Sequence, residues 1–178
     1  TSHGDGIYKS TDAGKTWKHM GLEATRHISR VFVHPRNPNK VYVAAQGNPW
    51  GSNEERGIYQ SEDGGETWKK ILYVNENSGF GDFTVDASNP DFMMATSWDF
   101  NRKPWVVQSG GPGSKVFKTT DGGLTWKEIE KGFAPVAKVT HGFVILPVAP
   151  PFAGTIFAIL LLLMYGTYKF PEASTEMV

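Results

Sequence analysis

The chain has 178 residues, no cysteine and a formal net charge of zero. Without cysteine it forms neither disulfides nor thiolate metal sites, and without excess positive charge it lacks the electrostatic signature of a nucleic-acid-binding protein. Aromatic residues make up 13% of the chain, and 20 glycines and 11 prolines interrupt it. This composition favours short strands joined by turns, so the sequence predicts an all-β domain.

One turn sequence occurs three times before residue 130, each time between two short strand patterns. Its aspartates are 51 and then 58 positions apart, and a second similarity, between residues 31–38 and 83–90, has a spacing of 52. Two independent elements with a period near 50 residues are typical of four-stranded propeller blades. The repeated positions are Asp12, Gly14 and Trp17; Asp63, Gly65 and Trp68; and Asp121, Gly123 and Trp126.

The residue types in this turn predict a structural role. The aspartate can accept backbone N–H bonds from the residues that follow it, and the serine or threonine two positions earlier adds a second local bond. The glycine supplies a backbone conformation that a side chain resists. The tryptophan can fold back over its own hairpin. We therefore expect these positions to build rigid turns rather than to carry chemistry.

The pattern S/T-x-D-x-G-x-x-W is identified as the Asp-box, or BNR repeat. Residues 1–130 resemble the propellers of sialidases, sortilin-type receptors, xyloglucan-degrading enzymes and photosystem II assembly factors, as well as bacterial glycosyl-hydrolase-like BNR proteins. This resemblance implies that each box joins the third and fourth strands of a blade, away from catalytic residues. Residues 6–20 provide only an outer strand pair, and residues 28–73 and 80–129 provide one blade each.

This count predicts a partial propeller of about two and a half blades, whereas closed rings typically have four to eight. We expect a partner chain, self-association or a further part of a longer gene product to complete the ring. Enzyme signals are weak. Asp82, Asp86 and Asp99 are candidate glycosidase carboxylates, but Asp86 aligns with His34 of the other blade and so varies like a turn residue. The five histidines show no metal-ligand spacing, and we expect no catalytic residue, metal or cofactor.

Two irregular segments, residues 48–55 and 98–105, follow equivalent second strands and carry tryptophan. Exposed aromatic residues beside Arg or Lys are typical of interface anchors. Trp50, Trp98, Arg102 and Trp105 are therefore candidate partner-binding residues. The alternative is that these tryptophans cover the core of their own blade.

The C-terminal part changes character, because residues 143–165 contain no charged side chain. A membrane span needs roughly 20 such residues, and the prolines early in this run place the helix start near residue 150. We expect a β domain over residues 1–131, a linker and proline-rich segment over 132–149, a transmembrane helix over 150–169 and a polar tail over 170–178. Gly154 and Ala158 would form a small-residue face for helix packing.

These features predict a non-catalytic, single-pass membrane subunit that docks on a larger integral membrane complex and stabilises or assembles it. Its partners would be membrane subunits and the lipid bilayer. The resemblance to photosystem assembly propellers implies a photosynthetic or respiratory complex and an extracytoplasmic (periplasmic) β domain, whereas the lysines flanking the span favour the opposite orientation by one residue. The alternative is a fragment of a carbohydrate-active propeller.

Overall fold

The computed structural model describes residues 3–130. This part of the chain is all-β apart from one 3-10 turn at Glu23–Thr25, and it contains no helix long and apolar enough to cross a membrane. The predicted transmembrane helix, its flanking segments, Gly154 and Ala158 lie outside the described residues. The strands are β1 (Tyr8–Lys9), β2 (Lys18–His19), β3 (Ile28–Val33), β4 (Val41–Ala45), β5 (Gly57–Ser61), β6 (Lys69–Leu72), β7 (Ser78–Val85), β8 (Met93–Lys103), β9 (Val106–Ser109), β10 (Val116–Thr119) and β11 (Lys127–Glu128).

The strands form three antiparallel sheets in chain order. β1 and β2 pair as a hairpin, β3-β4-β5-β6 form blade one, and β7-β8-β10-β11 form blade two, with β9 added to the far half of β8. This architecture is a partial β-propeller with two four-stranded blades and an outer hairpin in the described part. The segment 98–105, predicted to be irregular, is instead strand as far as Lys103, because β9 pairs with it from Phe100 to Lys103.

The core lies between neighbouring sheets rather than within one. Alternate residues of β8 from Met93 to Asp99 are buried on one face, as expected for a strand packed on one side. That face of blade two contacts Tyr42, Ala44 and Ile58 of blade one. The opposite face of blade one contacts the β1–β2 hairpin through Val43, Ala45 and Tyr59. Apolar burial between sheets therefore fixes the order of the three units.

The blades have two distinct ends. The Asp-box turns, which follow β1, β5 and β10, all lie at one end, here called the Asp-box end. The segments 46–56 and 73–77 and the β8–β9 hairpin lie at the other, here called the loop end, because strand direction alternates along each sheet. Since β11 runs antiparallel to β10, the chain also leaves blade two at the loop end.

Candidate functional site

The Asp-box turns are closed by hydrogen bonds within each box. In the second box, the backbone N–H of Thr67 donates to the Asp63 carboxylate at 2.9 Å, and the Thr67 hydroxyl donates to its other oxygen. The Ser61 hydroxyl donates to Asp63 and accepts the Gly65 N–H at 2.7 Å. Gly65 has φ +101°, a conformation that costs glycine least. The first and third boxes contain the same set of bonds.

These bonds stabilise the ionised form of each box carboxylate. The Thr16 hydroxyl and backbone N–H lower the pKa of Asp12 from 3.8 to about 2. The pKa values of Asp63 and Asp121 are also held well below their ordinary value by threonine hydroxyl and backbone donors. At neutral pH the oxygens of all three box carboxylates are therefore occupied by hydrogen bonds within their own turns. This is a structural role.

The box tryptophans do more than cover their own hairpins. Trp68 donates its ring N–H to the backbone oxygen of Met20, in the preceding hairpin, at 2.6 Å. Trp126 packs against the core cluster between the two blades. Trp17 bonds only to its own turn, through Gly14, and is 62% exposed. The box tryptophan thus links a sheet to the one before it wherever the described residues include that sheet.

The second repeated element is a turn at the Asp-box end. It is closed by a histidine in blade one and by an aspartate in blade two. His34 Nδ1 accepts the backbone N–H groups of Arg36 and Asn37. At the equivalent position the Asp86 carboxylate accepts the N–H of Ser88 at 2.8 Å and that of Asn89 at 3.3 Å. Asp86 therefore serves its own turn and is not part of a carboxylate pair.

The loop end is organised around one fully buried cation, Arg56. One terminal nitrogen donates to the backbone oxygen of Asn77 at 3.0 Å, and the other donates to those of Asn48, Gly51 and Phe100 at 2.6 to 3.2 Å. Burial lowers the pKa of this guanidinium below its usual value. A single side chain thereby ties together all three loop-end segments from both blades.

The predicted binding residues lie at the loop end, near Arg56. The Arg102 guanidinium lies over the Trp50 ring, 5.4 Å from its centroid, and the backbone N–H of Arg102 donates to the backbone oxygen of Pro49 at 2.7 Å. Trp50 is 44% exposed and Trp105 is 80% exposed. The Trp98 ring packs against the Phe100 ring, with centroids 4.3 Å apart and the ring planes tilted by 37°. The structure thus brings Trp50 and Arg102 together, while Trp98 is half-buried and Trp105 stands apart at the tip of the β8–β9 hairpin.

The two remaining candidate carboxylates do not form a pair. Asp99 is buried, accepts the Ser78 hydroxyl, and accepts the Gly113 N–H at 3.0 Å. Asp82 lies 3.6 Å from the guanidinium of Arg30. The register of β7 and β8 places Asp99 opposite Ser78 and Asp82 opposite Thr96, three positions away along β8 and beyond a bulge, so each carboxylate has its own partner. Within residues 3–130 no cluster of three or more acidic or histidine side chains is arranged to hold a metal.

Two features of the loop end were missed in the sequence. Arg56 donates to backbone oxygens, which any residue supplies, so no side-chain pattern marks it. The β8–β9 hairpin did leave a signal, because 25 positions separate Pro38 from Asp63 whereas 31 separate the equivalent Pro90 from Asp121. The additional residues lie between the second and third strands of blade two, where the hairpin projects.

Comparison with known proteins gives a consistent fold and several functions. The family model described as sortilin, neurotensin receptor 3 (Sortilin-Vps10) matches residues 5–131. The chain is 27% identical over 154 residues to the xyloglucanase Xgh74A of Acetivibrio thermocellus, covering 82% of this chain and 17% of that protein. It is 31% identical over 172 residues to the photosystem II assembly lipoprotein Ycf48 of Trichormus variabilis, covering 78% and 49%.

Solved structures show the same fold at lower identity. The GH74 xyloglucanase of Xanthomonas campestris matches with a TM-score of 0.54 and 17% identity, over 76% of this chain and 20% of that one. An ancestral GH74 enzyme matches with a TM-score of 0.53 and 22% identity, over 70% and 15%. The chain thus spans half or less of the length of these relatives, which include both enzymes and an assembly factor.

Proposed function

This chain belongs to the sortilin–Vps10 family, and on that premise we propose that it is a non-catalytic, membrane-anchored binding subunit that docks on a larger integral membrane complex and stabilises or assembles it. The observation that carries this proposal is the loop end. There, Arg56 fixes three segments, and Trp50 and Arg102 form an exposed aromatic–cationic pair on that rigid base. Preorganised aromatic and arginine side chains are characteristic of binding anchors.

The carboxylates favour binding over hydrolysis. A glycosidase needs two carboxyl groups facing each other across the scissile bond. Asp99 is buried and bonded to Ser78 and Gly113, Asp86 closes a turn, and Asp82 lies beside the guanidinium of Arg30 in the neighbouring blade. Each is thus engaged in holding its blade.

Membrane anchoring rests on the charge-free run over residues 143–165, which is long enough to span a bilayer. In this proposal a helix over residues 150–169 packs against partner helices through Gly154 and Ala158. The photosystem II assembly lipoprotein relative supports a photosynthetic complex, and an extracytoplasmic β domain is part of the same proposal. A partner chain or a second copy would cover the sheet faces at both ends of the partial propeller.

The test is purification of the full chain in mild detergent, followed by mass spectrometry of the proteins that accompany it. We expect Trp50→Ala combined with Arg102→Ala to release the partner, since it removes both anchors. Leu124→Ala changes an exposed apolar side chain at the Asp-box end; it is the control and should retain the partner. Equal recovery of the partner by both variants would exclude the loop end as the docking surface.

A carbohydrate-active function is the second candidate, and it is supported by the xyloglucanase relatives and by the exposed ring of Trp50. Incubation of the full chain with xyloglucan oligosaccharides separates the two. Product release that disappears in Asp82→Asn or Asp99→Asn variants of unchanged thermal stability would replace the binding proposal with this one.

A further inference from the structure

The β8–β9 hairpin beyond Asp99, here called the arm, ends in exposed apolar side chains. Trp105 at the tip is 80% exposed, and Val106 and Val107 behind it are about half exposed. Arg102 and Lys103 precede the tip and are exposed, and no acidic residue occurs over residues 100–113. The arm therefore presents an apolar tip with a positively charged base, a combination that marks a contact surface.

The two strands of the arm pair with each other while it projects. They pair from Phe100 with Ser109 to Lys103 with Val106, and the backbone N–H of Arg102 donates to Pro49 O. β9 is an edge strand, so its outward peptide groups are not paired within the sheet. The tip of the arm, rather than its whole length, is therefore the part suited to enter an apolar surface.

The direction in which the chain leaves blade two indicates what covers this tip. The Ile129 N–H donates to Val116 O at 2.8 Å, and Val116 begins β10 at the loop end, so the polypeptide departs on the side from which the arm projects. The charge-free run starts at residue 143, 13 positions after Glu130. Thirteen residues reach at most about 45 Å when fully extended. The run therefore begins within that distance of the loop end, from which the chain departs.

We propose that the arm inserts Trp105 and the neighbouring valines into the surface of an anionic lipid bilayer, with Lys103 against its headgroups. Tryptophan is favoured at the membrane–water interface, and basic side chains are attracted to anionic lipid. This inference rests on the membrane anchor of the proposed function. It adds an orientation, because the loop end then faces the bilayer and the Asp-box end faces away.

The natural absence of cysteine permits a clean labelling test in the full chain. Val107→Cys places an environment-sensitive fluorophore on the arm and leaves Trp105 in place. Leu124→Cys is the matched control, since Leu124 is 75% exposed and lies at the Asp-box end. Both are reconstituted in phosphatidylcholine vesicles with and without phosphatidylglycerol, and quenching by brominated lipid is measured.

We expect the label at Val107 to shift to the blue and to be quenched by brominated lipid in the anionic vesicles, and the label at Leu124 to do neither. Lys103→Gln should lower the ratio of inserted to free arm roughly fivefold. Trp105→Ser should abolish insertion. Thermal unfolding equal to that of the parent chain confirms that these surface variants remain folded.

The other outcomes identify which step is wrong. If the chain floats with the vesicles but the label at Val107 is unchanged, the anchor stands and the arm inference is wrong. If the chain does not float with vesicles at all, both the anchor and the arm inference are wrong. Quenching at both positions would mean that the domain lies on its side, and a blue shift without lipid quenching would assign the tip to a protein. Either result overturns the lipid contact.

Discussion

Replacing Arg56 by methionine tests whether one buried guanidinium holds the loop end together. The side chain has no exposed surface, and its terminal nitrogens donate four hydrogen bonds to backbone oxygens. Bonds from a charged donor contribute about 1.5–3 kcal/mol each, and less when they share a nitrogen. Methionine restores some apolar packing but leaves the acceptors unpaired. We therefore expect a net loss of about 3 kcal/mol in the free energy of unfolding.

For a domain of this size a loss of 3 kcal/mol corresponds to a fall in Tm of roughly 10 °C. The assay is thermal unfolding of the full chain in mild detergent, monitored by tryptophan fluorescence. Arg36→Met is the matched control, because Arg36 is exposed at the Asp-box end, and its Tm should change little. Arg56→Lys should fall in between, since an ammonium group retains part of the bonding. Equal Tm values for Arg56→Met and Arg36→Met would refute the claim that Arg56 holds the loop end together.

Three further predictions concern the turns and the contacts between sheets. The box carboxylates have lowered pKa values in the folded state, so their stabilising contribution is complete above the ordinary pKa of 3.8 and is lost as pH falls through the folded pKa values. Tm should therefore decline below about pH 4 and continue to decline through the pKa of Asp12, which is about 2. Trp68→Phe removes a bond to the preceding hairpin and should destabilise the chain by about 1 kcal/mol in urea unfolding, whereas Trp17→Phe should have a smaller effect. Gly113→Ala places a β-carbon against Ser78 and Asp99 and should cost about 1–3 kcal/mol; an unchanged Tm would mean that these side chains move aside freely.

The sequence predicted the parts of the fold that depend on local bonds. Each box turn is closed by groups at most four residues apart, so its chemistry is contained in one short motif. The turns at His34 and Asp86 were recognised for the same reason. The all-β fold and the partial propeller followed from repeating those elements at a period near that of a blade.

The remaining features depend on contacts between distant residues. Arg56 reaches Phe100, 44 positions away, and its acceptors are main-chain atoms with no side-chain identity. Trp68 was expected to cover its own hairpin but also bonds to Met20, 48 positions earlier. Such partners are defined only when the sheets stack, and the stacking is driven by apolar burial that many sequences satisfy equally well.

Binding is expected where the two blades differ, because the features that they share are already explained by folding. Both blades have a box, a second turn and a central buried strand. Only blade two extends its second strand into an arm, through the additional residues between Pro90 and Asp121. An insertion that exposes Trp105 adds no core contact that a blade requires, and loop insertions on a rigid scaffold are where proteins commonly place recognition. We therefore expect binding at the arm that is inserted in blade two at the loop end, rather than at the elements that the two blades share.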